Sequence, residues 1–125
     1  IEAEATNYID KHGGKVLGSS KHPLGTSDFA SFLLQAQNSK AKVIGIAGSG
    51  TQFINAVKSA QQFGVAKTGQ TLAGLLVWLT DVHAMGLQTA QGLVLTNGFY
   101  WDRDEATREW ARRWPIEEIW VVSKP

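Results

Sequence analysis

Hydrophobic and polar positions recur with two different periods along this chain, and each change of period marks a new element. Ile1, Ala5, Tyr8 and Ile9 share one helical face, and His12-Gly13-Gly14 supplies the glycine that closes helices. Residues 15–20 then read as a short strand, with a loop at His22-Pro23-Leu24-Gly25, because a proline disfavours helix for the residue before it. Thr26-Ser27-Asp28 predicts a helix start: a hydroxyl at the cap accepts a bond from a free backbone N–H, and an Asp in the first turn suits the helix dipole. Phe29, Phe32, Leu33 and Ala36 form the buried stripe of that helix.

Val43-Ile44-Gly45-Ile46-Ala47 is an apolar, β-rich run bounded by polar and glycine residues, the pattern of a strand buried on both faces. The loop Gly48-Ser49-Gly50 leads into a helix from about Thr51, with Phe53, Ile54, Val57 and Ala60 inward and Phe63-Gly64 closing it. Residues 72–78 read as a third strand, Thr80-Asp81 caps a short helix carrying Val82 and Met85, and Leu93-Val94-Leu95 is a fourth strand. Alternation of this kind predicts an α/β fold, a three-layer αβα domain with a mainly parallel sheet, helices on both faces and a ligand site at the carboxyl ends of the strands. The character changes after Tyr100: residues 104–113 are helical by propensity, Pro115 stops that helix, and residues 116–122 read as a strand or a tail.

Composition narrows the function classes. A chain of 125 residues with 43% apolar and 18% charged positions fits one folded domain, and a net charge of +1 gives no field that selects nucleic acid or an acidic membrane surface. The absence of cysteine excludes a disulfide framework, a thiolate metal site and a cysteine nucleophile. The longest apolar run, residues 72–79, falls short of the roughly 20 residues that cross a bilayer. The opening Ile1-Glu2-Ala3-Glu4, without an initiator Met or signal-peptide regions, reads as a processed protein or a piece of a longer one.

Two strand-to-helix corners carry the candidate chemistry. Around Ser49, Gly50 and Thr51, consecutive backbone N–H groups and the helix dipole can hold a phosphate or carboxylate. No Lys precedes Thr51 and the glycines do not fit the dinucleotide pattern, so a small anion or polar ligand and a plain tight turn remain as readings. At the second corner, Asp81 can receive an ammonium group or cap the helix, and His83 can bond a ligand or pack. His12, His22 and His83 have no ligand spacing, so neither a metal nor a cofactor is expected. Ser49, His83 and Asp81 assemble into a hydrolase trio only on paper, since the nucleophile-elbow motif G-x-S-x-G is missing. Adjacent Glu117-Glu118 project differently and make no acid/base pair. Tyr100, Trp101, Trp110 and Trp114, with Arg103, Arg108, Arg112 and Arg113 among them, read either as core packing with snorkelling arginines or as an interface.

Gly13-Gly14-Lys15-Val16-Leu17-Gly18, His22-Pro23-Leu24-Gly25-Thr26-Ser27-Asp28-Phe29, Phe32-Leu33-Leu34-Gln35-Ala36, Thr80-Asp81-Val82-His83-Ala84-Met85-Gly86 and Ala90-Gln91-Gly92-Leu93 together resemble the periplasmic solute-binding proteins of branched-chain amino acid ABC transporters, of type I. The likeness runs from about residue 2 to Trp110 and concerns the second lobe only. It implies two lobes closing around a solute, a permease partner, a periplasmic address and no catalysis. By position, Ser49, Gly50 and Thr51 correspond to the loop that meets the solute, Asp81 falls near the acidic group that receives an ammonium, and His83 lies beside it. The family's usual tyrosine is replaced by Ser49-Gly50, which sets an aromatic or other carboxylate beside a branched-chain amino acid as ligand. Phe99-Tyr100-Trp101-Asp102 resembles the hinge crossing, so residues 1–99 are expected as the solute-binding lobe and residues 100–125 as a hinge-derived helix with a Trp-rich tail. The competing expectation is an assembly module, in which the exposed hinge surface and that tail form a homodimer.

Overall fold

Three short apolar runs build the sheet. In the computed structural model, which describes residues 1–113, β1 (Val43–Ile46), β2 (Thr71–Gly74) and β3 (Val94–Leu95) stand in the order β1-β2-β3 and are all parallel. Ile44 is paired with Leu72, and Ala73 with Val94. Parallel neighbours need a crossover. Here α3 (Gly50–Gln62) and a 3₁₀ turn at Val65–Thr68 connect β1 to β2, and α4 (Leu79–Met85) connects β2 to β3. α1 (Glu2–Lys11) and α2 (Ala30–Asn38) precede the sheet and α5 (Glu105–Arg113) follows it. The chain therefore leaves all three strands on one rim, which gathers residues 47–49, 75–78 and 96–98 there.

The predicted inward face of α3 is the centre of the core. Phe53, Val57 and Ala60 are fully or almost fully buried. One cluster joins Phe29 and Leu33 to Ile44, Ala56, Ala60, Val65 and Leu72. A second joins Phe53 and Val57 to Val77 and Met85. The buried Gln70 ties the 3₁₀ turn to the start of β1: its amide N–H donates to the Ala41 carbonyl at 2.8 Å, and the Thr68 hydroxyl donates to its Oε1 at 3.0 Å.

Three expectations are corrected. The strand read over residues 72–78 ends at Gly74, because the chain bends at Leu75 and Leu76. A Cβ at position 74 would stand 2.5 Å from Val77 Cγ2 and 3.1 Å from Phe53 Cζ, so only glycine lets Val77 return into the core against Phe53. Residues 15–20 form no strand: β1 pairs with β2 alone, no strand lies on its outer edge among the described residues, and a strand without a ladder partner is not stable. β1 is buried on one face only, with Val43 57% exposed on the other. Likewise α1 forms where its stripe predicts, yet buries none of its residues.

Helix α2 begins at Ala30, whose N–H donates to Asp28 Oδ1 at 2.9 Å, slightly later than its predicted start. α5 opens with a reciprocal cap. Asp104 N–H donates to Thr107 Oγ1 at 3.0 Å, and Thr107 N–H donates to Asp104 Oδ1 at 2.9 Å. The Thr107 N–H, then the Arg103 side chain, hold the Asp104 carboxyl below its ordinary value of 3.8. A carboxylate with a depressed folded-state pKa stabilises the fold above its unfolded value and loses that contribution as pH falls through its folded one. Protection of the Thr107 amide from hydrogen exchange is therefore expected to fall on acidification below pH 3.8, and Asp104→Asn should flatten that dependence. Trp114, Pro115, Glu117, Glu118 and the strand or tail at 116–122 lie outside the described residues.

Candidate functional site at the carboxyl rim of the sheet

The corner after β1 is built by glycine. Ser49 is the extended N-cap of α3, and no side chain caps that helix. Gly50 has φ +56°, in the left-handed region, with open space where a Cβ would stand. Ser49 and Thr51 are exposed at this rim.

The corner after β2 is held by Asp81. Trp78 is the N-cap of α4, and its N–H donates to Asp81 Oδ2 at 3.0 Å. Its carbonyl accepts the N–H groups of Asp81 at 3.0 Å and Val82 at 3.3 Å. Leu75 N–H donates to the Ile46 carbonyl at 3.0 Å, stitching this corner to the end of β1. The capping role read for Asp81 is thus present, with the carboxylate reaching back to the residue that starts the helix. His83 is exposed two residues further on, and residues two apart on a helix do not face each other. Replacing Asp81 with Ala should cost about 1 kcal/mol of stability in chemical denaturation, whereas Asp81→Asn, which retains an acceptor for the Trp78 N–H, should cost less.

The third corner follows β3, where the Asn97 side-chain N–H donates to the Phe99 carbonyl at 2.5 Å. Between the second and third corners lies an open hollow of about 280 Å³, lined by residues 75–78 and 96–98. None of these carries a charge. A second hollow, of about 320 Å³, sits at the opposite rim near the start of β2, where Gln61, Gln70 and Gln91 contribute to its walls.

The parallel strand order brings Ser49, Gly50 and Thr51 to the same rim as Asp81 and His83. The hollow itself is walled by their neighbours. Sequence reasoning missed Trp78 and Asn97 as rim residues. Their signal was position at the end of an apolar strand run, Asn97 two residues after Leu95 and Trp78 absorbed into its run. Among the described residues no hydrogen bond joins Ser49, Asp81 and His83, no group of three potential metal ligands gathers, and no helix is long and apolar enough to cross a membrane.

The residues read as an interface split. Tyr100, Trp101 and Trp110 are 43%, 50% and 51% exposed, next to Phe99 at 45%. The Phe99 and Trp110 rings stand 4.9 Å apart. Trp114 is outside the described residues. Arg108 bridges Asp102 at 2.5 Å and Glu105 at 3.3 Å, which binds the turn before α5 to its first helical turn.

A parallel sheet with helical crossovers and a solute-sized hollow at its carboxyl rim is the arrangement of a single αβα lobe of a type I periplasmic binding protein. The periplasmic binding protein family matches over residues 1–115, and the chain belongs to it. The crystal structure of a branched chain amino acid ABC transporter periplasmic ligand-binding protein from Burkholderia xenovorans LB400 superposes with a TM-score of 0.84 and 36% identity, over 93% of this chain and 31% of that one. An amino acid ABC transporter substrate-binding protein from Pseudomonas fluorescens Pf-5 shares the fold, with a TM-score of 0.76 and 22% identity over 88% of this chain and 30% of that one. No curated protein matches the chain. The chain spans about a third of the length of these two structures.

Proposed function

We propose that this chain is the solute-gripping lobe of an ABC uptake system's binding protein, and that it captures an amino acid or related small carboxylate noncovalently in the periplasm. The observation that carries this reading is the convergence of the three strand ends on one rim, which gathers the α3 N-terminus at Ser49, Gly50 and Thr51, the Asp81 corner and an uncharged hollow between the ends of β2 and β3, in a chain of this family. The amides at the start of α3 suit a carboxylate. Asp81 serves α4 with one oxygen and leaves the other for an ammonium group, and His83 is exposed further along the same helix. The reading involves no catalysis and no cofactor, and the downstream partner is the permease. A lone lobe supplies half of the walls of a closed site, so its affinity is expected in the millimolar range, well below that of a closing pair.

Thermal unfolding with a panel of amino acids and aromatic acids tests the reading, since a ligand that binds only the native state raises the midpoint. A rise with at least one carboxylate at millimolar concentration is expected, and Asp81→Asn should abolish it for amino acids while leaving the unliganded midpoint nearly unchanged. A flat panel contradicts the reading.

One observation favours a second reading. Phe99, Tyr100, Trp101 and Trp110 form an aromatic surface whose members are each more than two-fifths exposed. Aromatics and arginines together are the composition of interfaces, so this surface supports a homodimer of the chain. Light scattering at micromolar protein would show a dimer under this reading and a monomer without it.

A further inference from the structure

We infer that Trp78 selects the solute, and that the lobe takes a carboxylate whose side chain is a planar aromatic ring laid against the Trp78 indole. The inference rests on the reading above, in which the rim binds a small carboxylate.

The first support is the placement of the indole. Helix N-caps favour Ser, Thr, Asp and Asn, whose oxygen closes a backbone N–H. Here a Trp occupies the cap of α4, lines the hollow and is 53% exposed as a residue. Its backbone is fastened at both ends, the N–H on Asp81 and the carbonyl under Asp81 and Val82. Trp78 is thus held at the rim by its backbone bonds and is not packed into the core. A large apolar surface left in water is unfavourable unless a partner covers it.

The second support is what surrounds the ring. Leu75, Leu76 and Val77 make the remaining apolar wall, and Thr96 and Asn97 supply the side-chain polar atoms. Asn97 directs its N–H to the Phe99 carbonyl, which leaves its Oδ1 as an acceptor for a hydroxyl or ammonium hydrogen. No lining residue carries a charge, so a cationic or anionic solute side chain would meet no counter-charge there.

The third support is size. An enclosed apolar cavity of about 150 Å³ accepts benzene, and this hollow, open to solvent on one side, has a volume of about 280 Å³, above what a single ring needs.

The test titrates the 125-residue chain separately with L-phenylalanine, L-leucine and L-lysine, following binding by ligand-observed NMR. Phenylalanine is expected to bind about tenfold tighter than leucine, as stacking adds to burial, and lysine more weakly than both. Trp78→Ala should erase the preference for phenylalanine over leucine, and Trp78→Phe should retain part of it. If Trp78→Ala unfolds the chain, Trp78→Leu serves in its place, keeping an apolar side chain without the ring. Leucine binding as tightly as phenylalanine, or a preference that survives removal of the ring, overturns the inference while the carboxylate-binding reading stands. Binding of none of the three overturns both.

Discussion

Replacing Phe53 with Ala is expected to remove about 3–5 kcal/mol of stability, enough to leave a domain of ordinary stability, roughly 5–15 kcal/mol, marginal or unfolded at ambient temperature. Phe53 is 0% exposed and sits in the cluster with Val57, Val77 and Met85. Its ring end meets the backbone of β2 where Gly74 leaves space for it. Truncation opens a void bounded on one side by a strand and on the other by α3, neither of which can collapse without breaking the sheet register. Urea denaturation followed by circular dichroism measures the loss. Phe53→Leu should cost clearly less, and a midpoint unmoved by the alanine change would show that the core is centred elsewhere.

The next largest effect is expected at Gly74. Gly74→Ala places a methyl group 2.5 Å from Val77 Cγ2, and Val77 is itself buried at 4% exposure with no room to swing away. Overpacking of this kind costs about 1–3 kcal/mol. The consequence reaches the rim, since Val77 belongs to the wall of the hollow and any shift that relieves the clash moves residues 75–78. Gly74→Ala should therefore weaken solute binding as well as stability. Combining it with Val77→Ala, which removes the clashing carbon, should cost less than the sum of the two single changes. Strict additivity in a denaturation cycle would show that the two positions do not meet.

Much of the fold was legible in the residues because it follows from local period. The spacing of Phe53, Val57 and Ala60 states which side of α3 faces inward, and the alternation of short apolar runs with helical stretches states that the sheet is parallel, with the carboxyl ends of its strands on one rim. Other features depend on partners distant in sequence. Residues 15–20 have strand composition, but a strand exists only where a neighbour completes its ladder, and the outer edge of β1 carries none among the described residues. An uninterrupted apolar run from Leu72 to Trp78 conceals that the strand ends at Gly74, because the requirement for glycine there comes from the way Val77 folds back and Phe53 reaches across the core. The same concealment hid Trp78, whose place on the rim emerges only once the strand is seen to end four residues earlier. The stripe on α1 illustrates the reverse case: periodicity specifies a helix without specifying that anything covers its apolar face.

The rim is best tested by amide chemical shifts recorded while a carboxylate solute, phenylalanine first, is titrated into the isotopically labelled chain. The expected perturbations are confined to residues 49–51, 75–81 and 96–98, the three corners where the strands end. Unperturbed corners at saturating solute, or shifts centred instead on Gln61, Gln70 and Gln91 at the opposite rim, would contradict the account.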